Sequence, residues 1–221
     1  MVQKKKSTPP SPQADTPAPK RRGRPRAYQP DVALGKALDL FRKDGFAGTS
    51  LDDLSAATGM NRPSLYGAFG DKRELYIKSY ARYRDDARVA TIDIFRDELP
   101  IRKRLQRIYG VALDIYLSGD AGPRGCFSVM TAASEAVFDP EIRGLVLDAF
   151  TELDKAFANC FRRAKESGEL AASADATVLA QMASATLHTV AIRARAQVPR
   201  KELEAIVNGA IDVMVGAGAK G

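Results

Sequence analysis

The residues whose side chains are best suited to bind a partner lie in the short segment 61–67. Arg62 is the strongest candidate, because its guanidinium group can donate two hydrogen bonds to O6 and N7 of a guanine in the major groove of DNA. Pro63 can press against the methyl group of a thymine. The other candidates of the segment are Asn61, Ser64 and Tyr66. Side chains of these types suit the bases and backbone of a DNA duplex, provided that a helix presents them on one face.

A second group of candidate residues lies near the N-terminus. Residues 1 to 26 contain eight lysines and arginines against one acidic residue, whereas the rest of the chain contains 26 of each sign, so this arm carries the whole net charge of +7. Within it, Arg22, Arg24 and Arg26 flank Gly23 and Pro25 and resemble an AT-hook, whose extended arginines enter a narrow A·T-rich minor groove. Nucleic acid is the natural partner, with an anionic membrane surface or a solvated tail as alternatives.

The elements that would position these residues can be predicted from capping signals. Beyond residue 29 an apolar helical pattern replaces the proline-rich arm, and four helices are expected in close succession. Their predicted capping residues are Asp31, Thr49 or Ser50, Asn61 and Asp71. Gly45 and Gly59 supply stops for the first two helices. The second and third helices, joined by a tight turn, form a helix-turn-helix whose second helix enters the major groove and carries Arg62.

The remainder of the chain also shows helical spacing of apolar residues. One helix is expected after Pro100, and the loop 119–125 ends it. The other expected helices cover about 127–137, 140–168, 175–195 and 199–215. We therefore predict an all-α fold.

The segment 37–76 contains the landmarks G-F, T-S, L-Y-x-x-F and D-K-x-x-L-Y in this order. It resembles the DNA-binding region of the TetR family of helix-turn-helix transcriptional regulators. The resemblance implies phosphate contacts from Thr49, Tyr66 and Lys72. Helix capping is the alternative role of Thr49 and Asn61, and packing is that of Tyr66.

Two residues of the predicted recognition helix depart from the family pattern. Pro63 stands where a small residue is common, and Gly67 stands where the family often has a side chain that contacts DNA. We therefore expect fewer base contacts from this helix.

The resemblance also divides the chain into three parts. A disordered basic arm is expected over residues 1–29, a three-helix helix-turn-helix domain over 30–75, and a helical ligand-binding and dimerisation domain over 76–221. The last two helices would pack against their mates in a homodimer. The apolar stripe expected at that interface consists of Leu203, Val207, Ala210 and Met214. Burial of this stripe within one subunit is the alternative.

A small-molecule effector is the second partner that the resemblance implies. Aromatic and neighbouring residues could line its pocket, although the same spacing is typical of a core. The candidates are Tyr109, Tyr116, Phe127, Met130, Phe150, Met182 and His188. Cys126 lies near a predicted helix start, where it would be either a reactive thiol or a small buried residue.

Enzymatic and metal-binding chemistry is poorly represented. His188 is the only histidine, and Cys126 and Cys160 lie far apart in no C-x-x-C spacing, so we expect no metal, cofactor or disulfide. The uncharged run 176–192 falls just short of a bilayer span, and the N-terminus lacks the apolar core of a secretory signal. These features favour a cytoplasmic protein without membrane contact.

The sequence as a whole predicts a repressor that leaves a palindromic DNA operator when an effector binds. The alternatives are an architectural DNA-binding protein that uses the AT-hook-like arm without ligand control, and an enzyme with an appended helix-turn-helix.

Deletion of residues 1–26 should leave folding intact and weaken DNA binding most at low salt. Each phosphate contact contributes about 0.9 to the slope of log affinity against log salt, so a dimer that loses two or three contacts per arm should have a slope shallower by about 4 to 5. Titrations at several salt concentrations measure this slope. An unchanged slope would show that the arm does not contact DNA.

Overall fold

The computed structural model describes residues 29–119 and 122–216. Throughout these ranges the chain forms helices and no strand, which confirms the all-α prediction. The predicted arm, with Arg22, Arg24 and Arg26, lies outside the described residues. None of the described helices is both long and apolar enough to cross a membrane.

The N-terminal part contains α1 (Pro30–Asp44), α2 (Leu51–Thr58), α3 (Arg62–Phe69) and the long α4 (Lys72–Arg96). Side-chain caps explain the starts of the last three helices. Ser50 and Asp53 form a capping box on α2, Asn61 accepts from the backbone of Ser64 on α3, and Asp71 forms the box on α4. α1 begins at Pro30, one residue before the predicted cap, and Asp31 lies in its first turn.

The C-terminal part contains α5 (Ile101–Leu117), α6 (Ala133–Glu135), α7 (Pro140–Glu166), α8 (Ala176–Arg195) and α9 (Arg200–Val215). Its boundaries agree closely with the predicted ones except over 127–137. There the chain forms a π-helical segment, Ser128–Ala132, which continues into α6. Tyr80 donates to the Ser128 hydroxyl at 2.8 Å, and Tyr76 donates to that of Thr131 at 3.2 Å. The π-helical segment is thus bonded directly to α4.

Phe127 joins the two parts of the molecule. Its ring meets those of Tyr76, Tyr80 and Tyr83 edge-on, with centroid distances of 5.3, 5.3 and 5.7 Å. The three tyrosines follow one another at helical spacing on one face of α4, and Tyr76 also contacts Phe41 of α1 at 5.0 Å. A continuous aromatic cluster therefore runs from the helix-turn-helix domain into the C-terminal domain.

The apolar stripe of α9 is buried within the subunit. Leu203, Val207 and Met214 are at most 5% exposed, because this face packs against α5 and α8. The prediction that the stripe forms the dimer interface is therefore wrong. Ala210, the fourth residue of the stripe, is half-buried and packs against the edge of the same core.

Phe127→Ala should lower the free energy of unfolding by about 3–5 kcal/mol, because it removes a large buried ring and leaves a cavity among the tyrosines. Phe138→Ala is the matched control, since Phe138 is 84% exposed and its removal should cost less than about 0.5 kcal/mol. Urea unfolding measures both values. Equal losses in the two variants would contradict the assignment of Phe127 to the junction.

Candidate nucleic-acid interface and internal cavity

α3 presents a polar outer face because its apolar residues are used for packing. Leu65 and Phe69 are 2% and 5% exposed, and Met60 in the preceding turn is also buried. The opposite face carries most of the residues predicted to contact DNA: Asn61, Arg62, Pro63 and Tyr66 are exposed, and Ser64 is half-buried. One helix face thus brings these candidates together, and their contact with bases stays a prediction.

Arg62 is paired with an acidic residue that sequence reasoning did not single out. Its Nη2 donates to Asp52 Oδ1 at 2.7 Å, across the turn between α2 and α3. Both side chains are more than half exposed, so the pair contributes little to stability and can open at small cost. Asp52 therefore holds the guanidinium of Arg62 over α2 until a stronger hydrogen-bond acceptor replaces its carboxylate.

The three residues predicted to hold phosphates differ in availability. Thr49 is 1% exposed and its hydroxyl donates to the carbonyl of Gly45 at 2.7 Å, so it is not free in this conformation. Lys72 places Nζ 4.3 Å from the ring centroid of Phe46 and remains partly exposed. Tyr66 is 46% exposed. Of the three, Tyr66 and Lys72 are accessible at the surface in this conformation, and their contact with DNA stays a prediction.

Arginine side chains fasten α1 to the C-terminal domain. Arg42 is 7% exposed, and its Nη2 donates at 3.0 Å to the carbonyls of both Ile115 and Gly125. In the opposite direction, Arg195 of α8 donates to the carbonyl of Arg42 at 2.6 Å and to that of Lys43 at 2.5 Å, both in the last turn of α1. These bonds place the loop before Phe127 in direct contact with the end of α1.

The start of α4 is fastened to the start of α7. The guanidinium of Arg73 donates to Asp139 Oδ1 at 2.9 Å and to Glu141 Oε2 at 2.7 Å. The same guanidinium lowers the pKa of Asp139 to about 2, so this pair stays ionised at neutral pH. Because Asp139 also caps α7, the ion pair fixes the position of that helix against α4.

A cavity of about 570 Å³ lies within the C-terminal domain. Its walls come from α4, α5, α7 and α8 and are mainly aliphatic and aromatic, with Ile92, Phe95, Ile108 and Leu153 among them. Charged residues of α4 and α7 stand at its exposed rim. A volume of this size is typical of sites for small organic molecules.

A compact polar cluster lines part of the cavity. It consists of Tyr83, Tyr116 and Cys126, all of which are at most 9% exposed. Both tyrosine hydroxyls face the thiol of Cys126, and burial raises the pKa of each tyrosine well above its ordinary value. On the other side of Tyr83, the guanidinium carbon of Arg42 lies 5.2 Å from the ring centroid. The cluster is therefore adjacent to the bonds that hold α1.

The seven residues proposed from sequence to line a ligand pocket do not line one cavity, although the rings of Phe150 and His188 lie 4.9 Å apart. Tyr116 alone among them lines the cavity. Tyr109 and Phe127 are buried in the core, where Tyr109 donates to the carbonyl of Ala183 at 3.0 Å. Met182 is 39% exposed on the outer side of α8. The remaining three, Met130, Phe150 and His188, are partly buried outside the cavity lining, and burial lowers the pKa of His188.

Sequence reasoning missed the contribution of α4 to the cavity. Tyr83, Ile92 and Phe95 stand between charged neighbours, so the helix has the composition of an exposed one. Ile92 and Phe95 lie three residues apart on one face, but Tyr83 precedes Ile92 by nine residues and lies half a turn away, so apolar periodicity did not mark this wall as a whole. No cluster of three potential metal ligands is found among the described residues.

Comparison with protein families defines the class of protein. Residues 33–78 match the family described as "Bacterial regulatory proteins, tetR family", and residues 102–210 match "Tetracyclin repressor-like, C-terminal domain". The chain is thus a DNA-binding transcriptional regulator with a helix-turn-helix and a helical C-terminal domain. It belongs to the TetR family, as the resemblance in its sequence implied.

Several relatives share most of this architecture. The HTH-type transcriptional repressor ComR of Escherichia coli (strain K12) is 28% identical over 177 residues, which cover 80% of this chain and 84% of ComR. BdcR, another HTH-type transcriptional repressor of that strain, is 31% identical over 128 residues, or 58% of this chain and 63% of BdcR. A cysteine mutant of the TetR family regulator CifR, solved in complex with 26-bp double-strand operator DNA, is 31% identical, with a TM-score of 0.78 over 86% of this chain and 98% of that chain.

Gly67→Ala tests how closely α3 approaches DNA. Gly67 is exposed inside the helix, and a Cβ there would meet nothing within 4 Å, so the substitution should stabilise the protein by about 0.5–1 kcal/mol. Operator affinity should nevertheless fall, because the added methyl group would stand between the helix and the bases. Thermal unfolding and DNA titration measure the two effects.

Gly144→Ala is the matched control for this prediction. Gly144 is likewise an exposed glycine inside a helix, with open space around the added Cβ, and it lies on α7. It should stabilise the protein to a similar extent and leave operator affinity unchanged. If Gly67→Ala also left operator affinity unchanged, the face containing Gly67 would not approach DNA.

Proposed function

We propose that this protein is a homodimeric repressor that binds a palindromic DNA operator through α3 and leaves it when a small molecule enters the cavity. The observation that carries the proposal is the outer face of α3, where exposed Arg62 and Tyr66 stand on a helix anchored by Leu65 and Phe69. The similarity to a regulator solved on its operator supports the same mode of binding. The protein would act on DNA in the cytoplasm.

The dimer is proposed to form through the outer faces of α8 and α9. On α8, Val178, Met182 and Ile192 are 39–50% exposed, and their spacing of four and ten residues places them on one side of the helix. On α9, Val213 is 74% exposed, and the small residue Gly209, four residues earlier, is exposed on the same side of the helix. Apolar and small side chains on adjacent helices support close packing against a second copy.

Release by an effector is proposed to act through α4. Its first turn, at Lys72, follows α3 directly, and the same helix forms a wall of the cavity from Ala81 to Phe95. An occupant that displaced this wall would move the start of α4 and change the distance between the two recognition helices of a dimer. Half-sites lie about 34 Å apart in successive major grooves, so a change in that distance would lower operator affinity.

The alternative of an architectural protein depends on the basic arm, which lies outside the described residues. Selection of bound sequences from a random DNA pool distinguishes the two functions. The repressor should enrich a palindrome with two half-sites, whereas an architectural protein should enrich A·T-rich sequence without fixed spacing.

Arg62→Ala should remove the preference at one base pair in each half-site, at a cost of about 1–3 kcal/mol per contact. Lys72→Ala is the control, because loss of a phosphate contact should weaken binding to all sequences alike. The selection repeated with each variant measures both effects. An unchanged base preference in Arg62→Ala would contradict the role of α3 in recognition.

Val213→Glu should split the dimer while each subunit stays folded, because the charge would be buried only in the assembly. Val89→Glu is the matched control, since Val89 is a 67% exposed valine on α4 and its replacement should change neither folding nor assembly. Val207→Glu should instead unfold the subunit, because Val207 is 5% exposed within it. Light scattering and circular dichroism follow the three variants. A dimer that persists in Val213→Glu would place the interface elsewhere.

A further inference from the structure

We propose that the effector is an uncharged, largely apolar molecule with one hydrogen-bond acceptor, such as a ketone or ether oxygen, and that the hydroxyls of Tyr83 and Tyr116 bind this acceptor. The inference rests on the proposed function, because it identifies the ligand class of the same cavity. It depends on three features of that cavity: its apolar walls, its two available donors, and its paired charges.

The walls favour an apolar body for the ligand. Most of the residues that line the cavity are aliphatic or aromatic, and they come from four different helices. Transfer of apolar surface from water to such walls is favourable in proportion to the area buried. The volume of about 570 Å³ accommodates a molecule with two fused rings.

The hydroxyls of Tyr83 and Tyr116 are hydrogen-bond donors that remain available to a ligand. Three other buried tyrosines donate to protein acceptors: Tyr76 to Thr131, Tyr80 to Ser128 and Tyr109 to Ala183. Tyr83 and Tyr116 are also buried, at 7% and 6% exposure, but among the described residues their hydroxyls donate to no oxygen acceptor and face the Cys126 thiol.

A thiol is a weak acceptor, so a hydroxyl that faces it remains available to a stronger acceptor such as an oxygen atom. Burial also keeps both tyrosines protonated, because it raises the pKa of each well above its ordinary value. The cluster therefore presents two hydroxyl donors that an oxygen atom of a ligand can satisfy.

The charges around the cavity argue against an ionic ligand. Arg84 Nη2 donates to Glu152 Oε2 at 2.7 Å, and Arg88 lies 3.4 Å from Asp85, so the four charged residues of the lining form two neutral pairs. Behind Tyr83, Arg42 directs Nη2 to the carbonyls of Ile115 and Gly125. Arg42 forms no ion pair among the described residues, but it lies over the Tyr83 ring and outside the lining. A carboxylate or an ammonium group would therefore lose its hydration in the cavity without gaining an unpaired counter-charge from the lining.

Three probes that share the naphthalene ring system test the proposal: 2-acetonaphthone, 2-ethylnaphthalene and 2-naphthoate. Equilibrium dialysis against the full-length protein gives the affinity of each. The ketone should bind about tenfold more tightly than the hydrocarbon, which corresponds to one or two modest hydrogen bonds, and the carboxylate should bind most weakly. Equal binding of ketone and hydrocarbon, strongest binding of the carboxylate, or failure of all three to bind would overturn the proposal.

Variants locate the binding site. Tyr83→Phe and Tyr116→Phe should each reduce the preference for the ketone, and the double variant should abolish it while the affinity for 2-ethylnaphthalene stays the same. Tyr109→Phe is the matched control, because it removes a buried hydroxyl of α5 that lies outside the cavity lining and should leave the preference intact. If the double variant does not fold, the two single variants still measure the effect. A preference that survives in both would overturn the assignment.

The operator assay separates this proposal from the proposed function. If the ketone binds through the two tyrosines but leaves operator affinity unchanged, effector release is wrong and the ligand site stands. If the ketone shows no preference while the protein selects a palindromic operator, the repressor stands and the ligand class is wrong.

Discussion

The insertion of Phe127 among the tyrosines of α4 fixes the relation between the two parts of the molecule. Edge-on contacts with Tyr76, Tyr80 and Tyr83 bury a large apolar area and restrict α4 to one rotation about its axis. That rotation determines which residues of α4 line the cavity and which face α1. Both the packing of α4 against α1 and the shape of the cavity therefore depend on the same cluster of aromatic rings.

Basic side chains complete this arrangement by bonding to the ends of helices. Helix ends leave carbonyl groups without intrahelical partners, and the helix dipole favours a cation there. Arg195 donates to the last turn of α1, Lys78 donates to Phe69 at the end of α3 at 2.6 Å, and Arg163 donates to Arg96 at the end of α4 at 3.1 Å. Many basic residues outside the arm thus serve to join helices, which is consistent with the balanced charge of residues 27–221.

Local signals predicted the parts of the fold that depend on residues close in sequence. Ser50, Asn61 and Asp71 cap helices by bonding to the backbone three residues later, so their role is visible in a short window. Contacts between distant segments were not predictable in this way. The stripe containing Val207 was recognised as apolar, but its partner, a second subunit or α5, could not be decided from spacing. The cavity and the ion pair of Arg62 with Asp52 likewise depend on how helices pack and turn.

The position of the polar cluster supports the proposed release of DNA by a small ligand. From Lys72 to Arg88, α4 extends about 24 Å, so its first turn and its cavity wall belong to one rigid rod. Tyr83 lies one turn beyond Tyr80 on this helix. One side of its ring lines the cavity, and the other side packs against the guanidinium of Arg42. A ligand that draws the Tyr83 hydroxyl away from Cys126 would shift the ring against the guanidinium. Because Arg42 belongs to α1 and bonds to the loop before Phe127, that shift would act on both domains at their junction. The proposed coupling therefore passes through the aromatic cluster that fixes α4, because a change in the packing of Tyr83 against Arg42 would also alter its contact with Phe127.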